Sequence, residues 1–177
     1  MFFNIPTIMT WTRIIAIPLL VWVFYWPLDI VTRNLIATCM FIVFALTDWL
    51  DGFLARKLNQ TSAFGAFLDP VADKFMIGTA MVSLSILDRM PWWMTIVILT
   101  REIGITIFRL AVIKRGVIPA NRGGKIKAMM QGFGVGFYVL PLDESLYWFR
   151  DGFMYIAIAL TIFTGAYYVK SALTHKA

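Results

Sequence analysis

Residues 41–86 read FIVFALTDWLDGFLARKLNQTSAFGAFLDPVADKFMIGTAMVSLSI, two apolar runs joined by a polar stretch at Asn59-Gln60-Thr61-Ser62. With their flanks, at 33–55 and 66–87, each run has the roughly 20 residues a helix needs to cross a hydrocarbon core. The short connection makes the two helices antiparallel neighbours. Asp48 and Asp51 stand at i and i+3 near the end of the first helix, and Asp69 and Asp73 at i and i+4 near the start of the second. A charge at a membrane helix centre costs about 2.5–3.5 kcal/mol on insertion scales, so such residues must face a polar cavity and have partners. Four carboxylates that converge with no cation among them would repel and drive one another's pKa values upward. Divalent cations remove that conflict, and a set of oxygen ligands suits Mg²⁺ or Mn²⁺, with room for a two-metal centre.

Working outward, four more stretches have the length and apolarity of spans: 7–26, 92–113, 125–142 and 152–172. Turn signals or charges divide them: Trp26-Pro27-Leu28-Asp29, Asp88-Arg89-Met90-Pro91, the 114–124 stretch, and Asp143-Glu144 through Asp151. The expected architecture is an all-α integral membrane protein of six transmembrane helices, a single domain over 1–177. Composition agrees. The chain of 177 residues is 60% hydrophobic and 15% charged, with a mean hydropathy of +0.76. A soluble domain is typically 45–50% apolar and about a quarter charged. The single cysteine, Cys39, excludes an intrachain disulfide and reads as a small buried hydrophobe. The N-terminus has no basic residue before its apolar stretch and no small-residue cleavage site, so no cleaved signal peptide is expected.

The formal net charge of +6 is mostly an orientation signal. Arg56, Lys57, Lys114, Arg115, Arg122, Lys125, Lys127, Lys170 and Lys176 fall on one side of the six-span topology, against Arg33, Arg89 and Arg150 on the other. The first side is therefore cytoplasmic, with both termini inside. Tyr25-Trp26, Trp92-Trp93 and Tyr147-Trp148 fall at the opposite boundary, as an aromatic belt would. Inside the spans or at their cytoplasmic ends remain the four aspartates, Glu102, Lys74 and the cations Arg13, Arg101 and Arg109. Glu102 is expected to pair with a neighbouring arginine. Gly123-Gly124-Lys125 lacks the rest of a P-loop, so nucleotide hydrolysis gains no support.

The pattern Asp-x2-Asp-Gly-x2-Ala-Arg-x8-Gly-x3-Asp-x3-Asp, matched at every specified position by residues 48–73, resembles the signature of the CDP-alcohol phosphotransferase family. The resemblance implies that family's fold: six transmembrane helices with a short N-terminal interfacial segment, commonly in a homodimer. It implies an Mg²⁺-dependent (or Mn²⁺-dependent) transferase that displaces CMP from a CDP-linked substrate with the hydroxyl of a second alcohol. Asp48, Asp51, Asp69 and Asp73 would hold two metal ions, Asp73 would act as general base, and Gly52, Arg56 and Ser62 would bind the CDP moiety. The likeness extends further. Asn4-Ile5-Pro6-Thr7 with Thr10 and Arg13, Arg101-Glu102 with Arg109, and Gly124-Lys125-Ile126-Lys127 with Gln131 resemble bacterial members that use CDP-diacylglycerol and sn-glycerol 3-phosphate, although Ala128 departs from a common threonine. Such a chain would belong to the bacterial inner membrane, with its active site on the cytoplasmic side.

The acceptor's phosphate calls for a fixed cationic pocket, for which Arg13, Arg101, Arg109, Lys125 and Lys127 are the candidates. Serine, inositol phosphate or phosphatidylglycerol are the alternative acceptors within the family, and an acceptor without phosphate would not need these cations. Outside the family, a small cation transporter could use intramembrane aspartates as an ion path. Against it, the carboxylates gather at one membrane face, without matching charges in the outer halves of the spans. Aspartate-rich prenyltransferases share metal and pyrophosphate chemistry but space their motifs differently in longer chains. Nothing in the pattern suggests a nucleic-acid partner.

Overall fold

A computed structural model describes residues 5–57, 63–112 and 122–174. Six α-helices account for nearly all of them: α1 (Ile5–Tyr25), α2 (Ile30–Lys57), α3 (Ala63–Ile86), α4 (Trp92–Val112), α5 (Arg122–Val139) and α6 (Tyr147–Thr174). Among the described residues there is no strand. Each helix coincides with one of the six apolar stretches, and the differences lie at the ends. The predicted N-terminal segment is continuous with α1 from Ile5, and Pro6 occupies the first turn, where a missing N–H costs nothing.

Three further differences have local causes. α2 begins at Ile30, ahead of the expected 33, because Asp29 caps it: its Oδ2 accepts the Thr32 backbone N–H at 2.8 Å and its carbonyl accepts that of Arg33 at 3.0 Å. α5 stops at Val139, short of the expected 142, because Pro141 disfavours helical backbone at the residue before it. At the start of α6 the expectation fails more plainly. The sequence puts Arg150 and Asp151 in a divider, yet a 3₁₀ turn (Glu144–Leu146) leads straight into a helix that contains both. Their charges are satisfied locally: Arg150 Nε donates to Asp151 Oδ1 at 2.8 Å, and its guanidinium lies 4.0 Å from the Tyr147 ring centroid and 4.4 Å from that of Tyr138. Cys39 is also not the buried residue expected; it is exposed on α2.

The helices group into two compact units, α1–α3 in one and α4–α6 in the other, residues 139–141 clustering with the first. In the first unit α1 packs against both α2 and α3. It buries Ala16, Leu20, Val23 and Phe24, a stripe at helical spacing, while α2 contributes Ala37 and Asn34, and α3 contributes Ala80, Met81 and Leu84. In the second unit α4 packs against α6, burying Met94, Thr95 and Ile98 on the former and Met154, Ala157, Ile158 and Thr161 on the latter. Small residues let these backbones approach. A Cβ on Gly134 of α5 would stand 3.0 Å from Met154 Cε of α6.

Many large apolar side chains face outward. Ile15, Trp22, Val43, Phe75, Ile107, Trp148 and Phe163 are all more than half exposed. Tyr25, Trp26, Trp92, Trp93, Tyr147 and Trp148 are exposed near helix ends. Among the described residues, Glu144–Ser171 is the one helical stretch long and apolar enough to cross a membrane by those criteria, and Ile15–Tyr25 and Ile30–Phe44 are shorter apolar stretches.

Candidate functional site

The carboxylate-bearing residues lie in the first unit. α2 runs unbroken through Asp48, Asp51, Gly52 and Arg56, so the i, i+3 spacing of the two aspartates becomes a shared helix face. α3 runs unbroken through Asp69 and Asp73, so their i, i+4 spacing does the same. Asp73 is partly buried, beside the buried Ala72. The side chains of Asp48, Asp51, Arg56 and Asp69, and all of Ser62, lie outside the described residues, as does the Arg13 side chain on α1. Among the described side chains no three His, Cys, Asp or Glu gather as a metal site. The donor chemistry of the quartet still fits a hard divalent cation: four carboxylates, with no histidine or cysteine between residues 48 and 73.

The second unit holds a polar network that joins three helices. Glu102 on α4 accepts on one oxygen, Oε1, from two cations: Nη1 of Arg101 at 2.8 Å, and Nζ of Lys127 on α5. Arg101 then reaches α6, where Nε donates to the Thr161 carbonyl at 2.9 Å and Nη2 to Thr164 Oγ1 at 2.9 Å. The Thr164 hydroxyl in turn donates to the carbonyls of Leu160 and Thr161, at 2.7 and 3.2 Å. Gly165 makes room for this arrangement, since a Cβ there would lie 3.0 Å from Arg101 Nε. Lys127 is buried and its charge is neutralised by Glu102, which a lysine inside a helical bundle requires. Arg101 also lines a cavity of about 430 Å³ along α4 and α6, whose walls are mostly apolar: Ile105, Phe108, Ile162 and Val169.

Of the five cations expected to meet a phosphate, the structure therefore brings Arg101 and Lys127 together through Glu102. The side chains of Arg109 on α4 and Lys125 on α5 lie outside the described set. The pairing expected of Glu102 is present, and it is shared between two cations. Thr161, Thr164 and Gly165 were missed by sequence reasoning. Their one signal is a polar interruption, Thr161-Ile162-Phe163-Thr164-Gly165, in an apolar helix, about 60 residues from the arginine they serve.

The described residues define a class: a helical protein with paired aspartate positions on two consecutive helices and a buried cation–carboxylate network on three others. The chain belongs to the CDP-alcohol phosphatidyltransferase family, whose sequence pattern matches residues 3–163. It is similar, at 44% identity over 96% of its length and 82% of the relative's, to a probable phosphatidylglycerophosphate synthase of Mycobacterium tuberculosis. A CDP-diacylglycerol–glycerol-3-phosphate 3-phosphatidyltransferase of Bacillus subtilis is 36% identical over 92% of each chain. One of the same name from Blochmanniella floridana is 39% identical over 96% of this chain and 90% of its own. The family read from residues 48–73 is thus borne out.

Proposed function

We propose that this chain is a phosphatidylglycerophosphate synthase: it transfers the phosphatidyl group of CDP-diacylglycerol to sn-glycerol 3-phosphate and releases CMP. The observation that carries the reading is an intact Asp48–Asp73 signature on continuous helices, in a chain that aligns over almost its whole length with relatives named as a probable phosphatidylglycerophosphate synthase and as CDP-diacylglycerol–glycerol-3-phosphate 3-phosphatidyltransferases. Asp48, Asp51, Asp69 and Asp73 would hold Mg²⁺ or Mn²⁺, two ions per site. Bound there, the ions would neutralise the pyrophosphate and the charge that gathers on departing CMP.

The remaining chemistry falls to side chains. Asp73 takes the proton from the glycerol 1-hydroxyl as that oxygen attacks the phosphorus bearing the diacylglycerol. Gly52 leaves backbone room for the CDP moiety, and Arg56 and Ser62 bind it. Arg13, Arg101, Arg109, Lys125 and Lys127 supply the field that selects a phosphorylated acceptor over serine or a free polyol.

We place all six helices across the bacterial inner membrane, both termini and the active site facing the cytoplasm, with the chain a homodimer. The exposed apolar faces, the aromatic residues at helix ends and the lopsided distribution of Lys and Arg support that placement. The lipid tails then stay in the bilayer while the pyrophosphate sits at its rim.

The test is CMP release by purified protein with Mg²⁺ and CDP-diacylglycerol, each candidate acceptor supplied in turn. Release with sn-glycerol 3-phosphate alone is expected. Release only with inositol phosphate, serine or phosphatidylglycerol would overturn the acceptor assignment. Asp73→Asn should abolish turnover while leaving CDP-diacylglycerol binding in place, and a wild-type rate in that variant would remove Asp73 from its role as base.

A further inference from the structure

Lys127 and Gln131 stand at i and i+4 on the face of α5 that also buries Val135 and Tyr138. Two polar side chains thus sit in succession on an otherwise apolar stripe. Lys127 has its partner in Glu102. Gln131 is only 4% exposed, and among the described residues its Nε2 has no hydrogen-bond partner. On α6, Thr161, whose carbonyl accepts from Arg101 Nε, is fully buried, and among the described residues its own hydroxyl oxygen is also unpartnered.

A buried amide donor without an acceptor is a net loss to the fold, and an apolar side chain of the same shape would remove that loss. Buried polar groups in native proteins have partners as a rule, and the exceptions call for an explanation. Here the orphan donor is one helical turn from a buried lysine already assigned to the acceptor's phosphate. Among the described residues no oxygen accepts from Gln131 Nε2. A phosphorylated alcohol is rich in such acceptors, and binding one would give that donor a partner.

We infer that Gln131 is a further acceptor-binding residue, donating its side-chain amide to an oxygen of the incoming phosphorylated alcohol beside Lys127. The inference rests on the proposed phosphatidyl transfer. It assigns discrimination as well as binding: a site built to hydrogen-bond an oxygen rejects an acceptor lacking it, because the donor is then left buried and unpaired.

The experiment is steady-state CMP release by Gln131→Leu, with KM for sn-glycerol 3-phosphate and KM for CDP-diacylglycerol measured separately and thermal unfolding followed on the same samples. The expected result is a KM for glycerol 3-phosphate raised about tenfold, an unchanged KM for CDP-diacylglycerol, and an unfolding midpoint equal to or above wild type. A purely structural glutamine gives the opposite pattern, and a midpoint change with both KM values within about twofold of wild type overturns the inference. Should Gln131→Leu fail to fold, Gln131→Asn, which draws the amide back by one carbon, is read by the same split with the same two outcomes. Repeating the comparison with 1,3-propanediol monophosphate locates the oxygen. A penalty that disappears assigns the glycerol 2-hydroxyl, and one that persists assigns the phosphate. A wild-type protein silent with glycerol 3-phosphate but active with another alcohol overturns the acceptor assignment instead, and the Gln131 split is then read with that alcohol.

Discussion

Lys127 of α5 and Arg101 of α4 donate to the same carboxylate oxygen, Oε1 of Glu102. One acid thereby ties two helices together, and Arg101 extends the tie to α6 through Thr161 and Thr164. The side chains of Lys127 and Glu102 are 6% and 13% exposed, so the pair is largely shielded from water. Removing one member leaves the other a buried charge with its main partner gone, and that cost exceeds anything the pair contributes while intact.

Glu102→Ala is accordingly expected to destabilise the protein by about 3 kcal/mol, measured by thermal or denaturant unfolding in detergent micelles. Adding Lys127→Met to that variant removes the stranded ammonium and should recover part of the loss. A double variant less stable than Glu102→Ala by the full cost of Lys127→Met alone would show the two residues to be uncoupled.

Gly165→Ala brings a methyl group to 3.0 Å from Arg101 Nε, where the guanidinium is held by three hydrogen bonds and cannot step aside freely. A loss of about 1–3 kcal/mol is expected. Gly104→Ala provides the control, since a Cβ there meets nothing within 4 Å. The two variants compared in one unfolding series should separate clearly.

Tyr138 is buried on α5 and its hydroxyl donates to Asp151 Oδ1 at 2.7 Å, the oxygen that also takes Arg150 Nε. Tyr138→Phe keeps the ring against Arg150 and removes only that donor. The expected cost is about 1 kcal/mol in unfolding free energy, with CMP release unchanged, since this network is assigned no part in the chemistry.

Asp29 gives the fold an acid-sensitive helix start. The Thr32 backbone N–H holds its carboxyl below the ordinary carboxylate value, so the capping interaction is fully present above about pH 4 and is lost as the pH falls through the folded-state value. Asp29→Asn retains a capping oxygen that does not titrate. The stability advantage of wild type over Asp29→Ala should therefore shrink below about pH 4, while that of Asp29→Asn over Asp29→Ala persists, both followed by thermal unfolding across pH.

How much of this was legible in the sequence differs from one element to the next. The six helices follow from apolar runs broken by Asp and Pro, because hydrocarbon-length stretches and turn chemistry are local properties. The carboxylate pairs were legible for the same reason: spacings of three and four residues become shared faces wherever the helix is continuous, as it is through 48–51 and 69–73. The start of α6 is not legible in the same way, because charged residues in sequence resemble a loop. Arg150 and Asp151 are tolerated within the helix by each other and by Tyr138 on another helix, and no local rule reports such a partner. The Arg101 network failed to appear for the same reason. Its acceptors on α6 are 60 and 63 residues away, and only the packing of α4 against α6 brings them together.

Phosphatidyl transfer to glycerol 3-phosphate is tested most directly by mass spectrometry of the lipid that the purified protein makes from CDP-diacylglycerol and sn-glycerol 3-phosphate with Mg²⁺. Phosphatidylglycerophosphate is expected, formed in equal amount to the CMP released and absent when the metal is chelated. A lipid with a different headgroup, or CMP released with no phosphatidylglycerophosphate formed, would contradict that assignment.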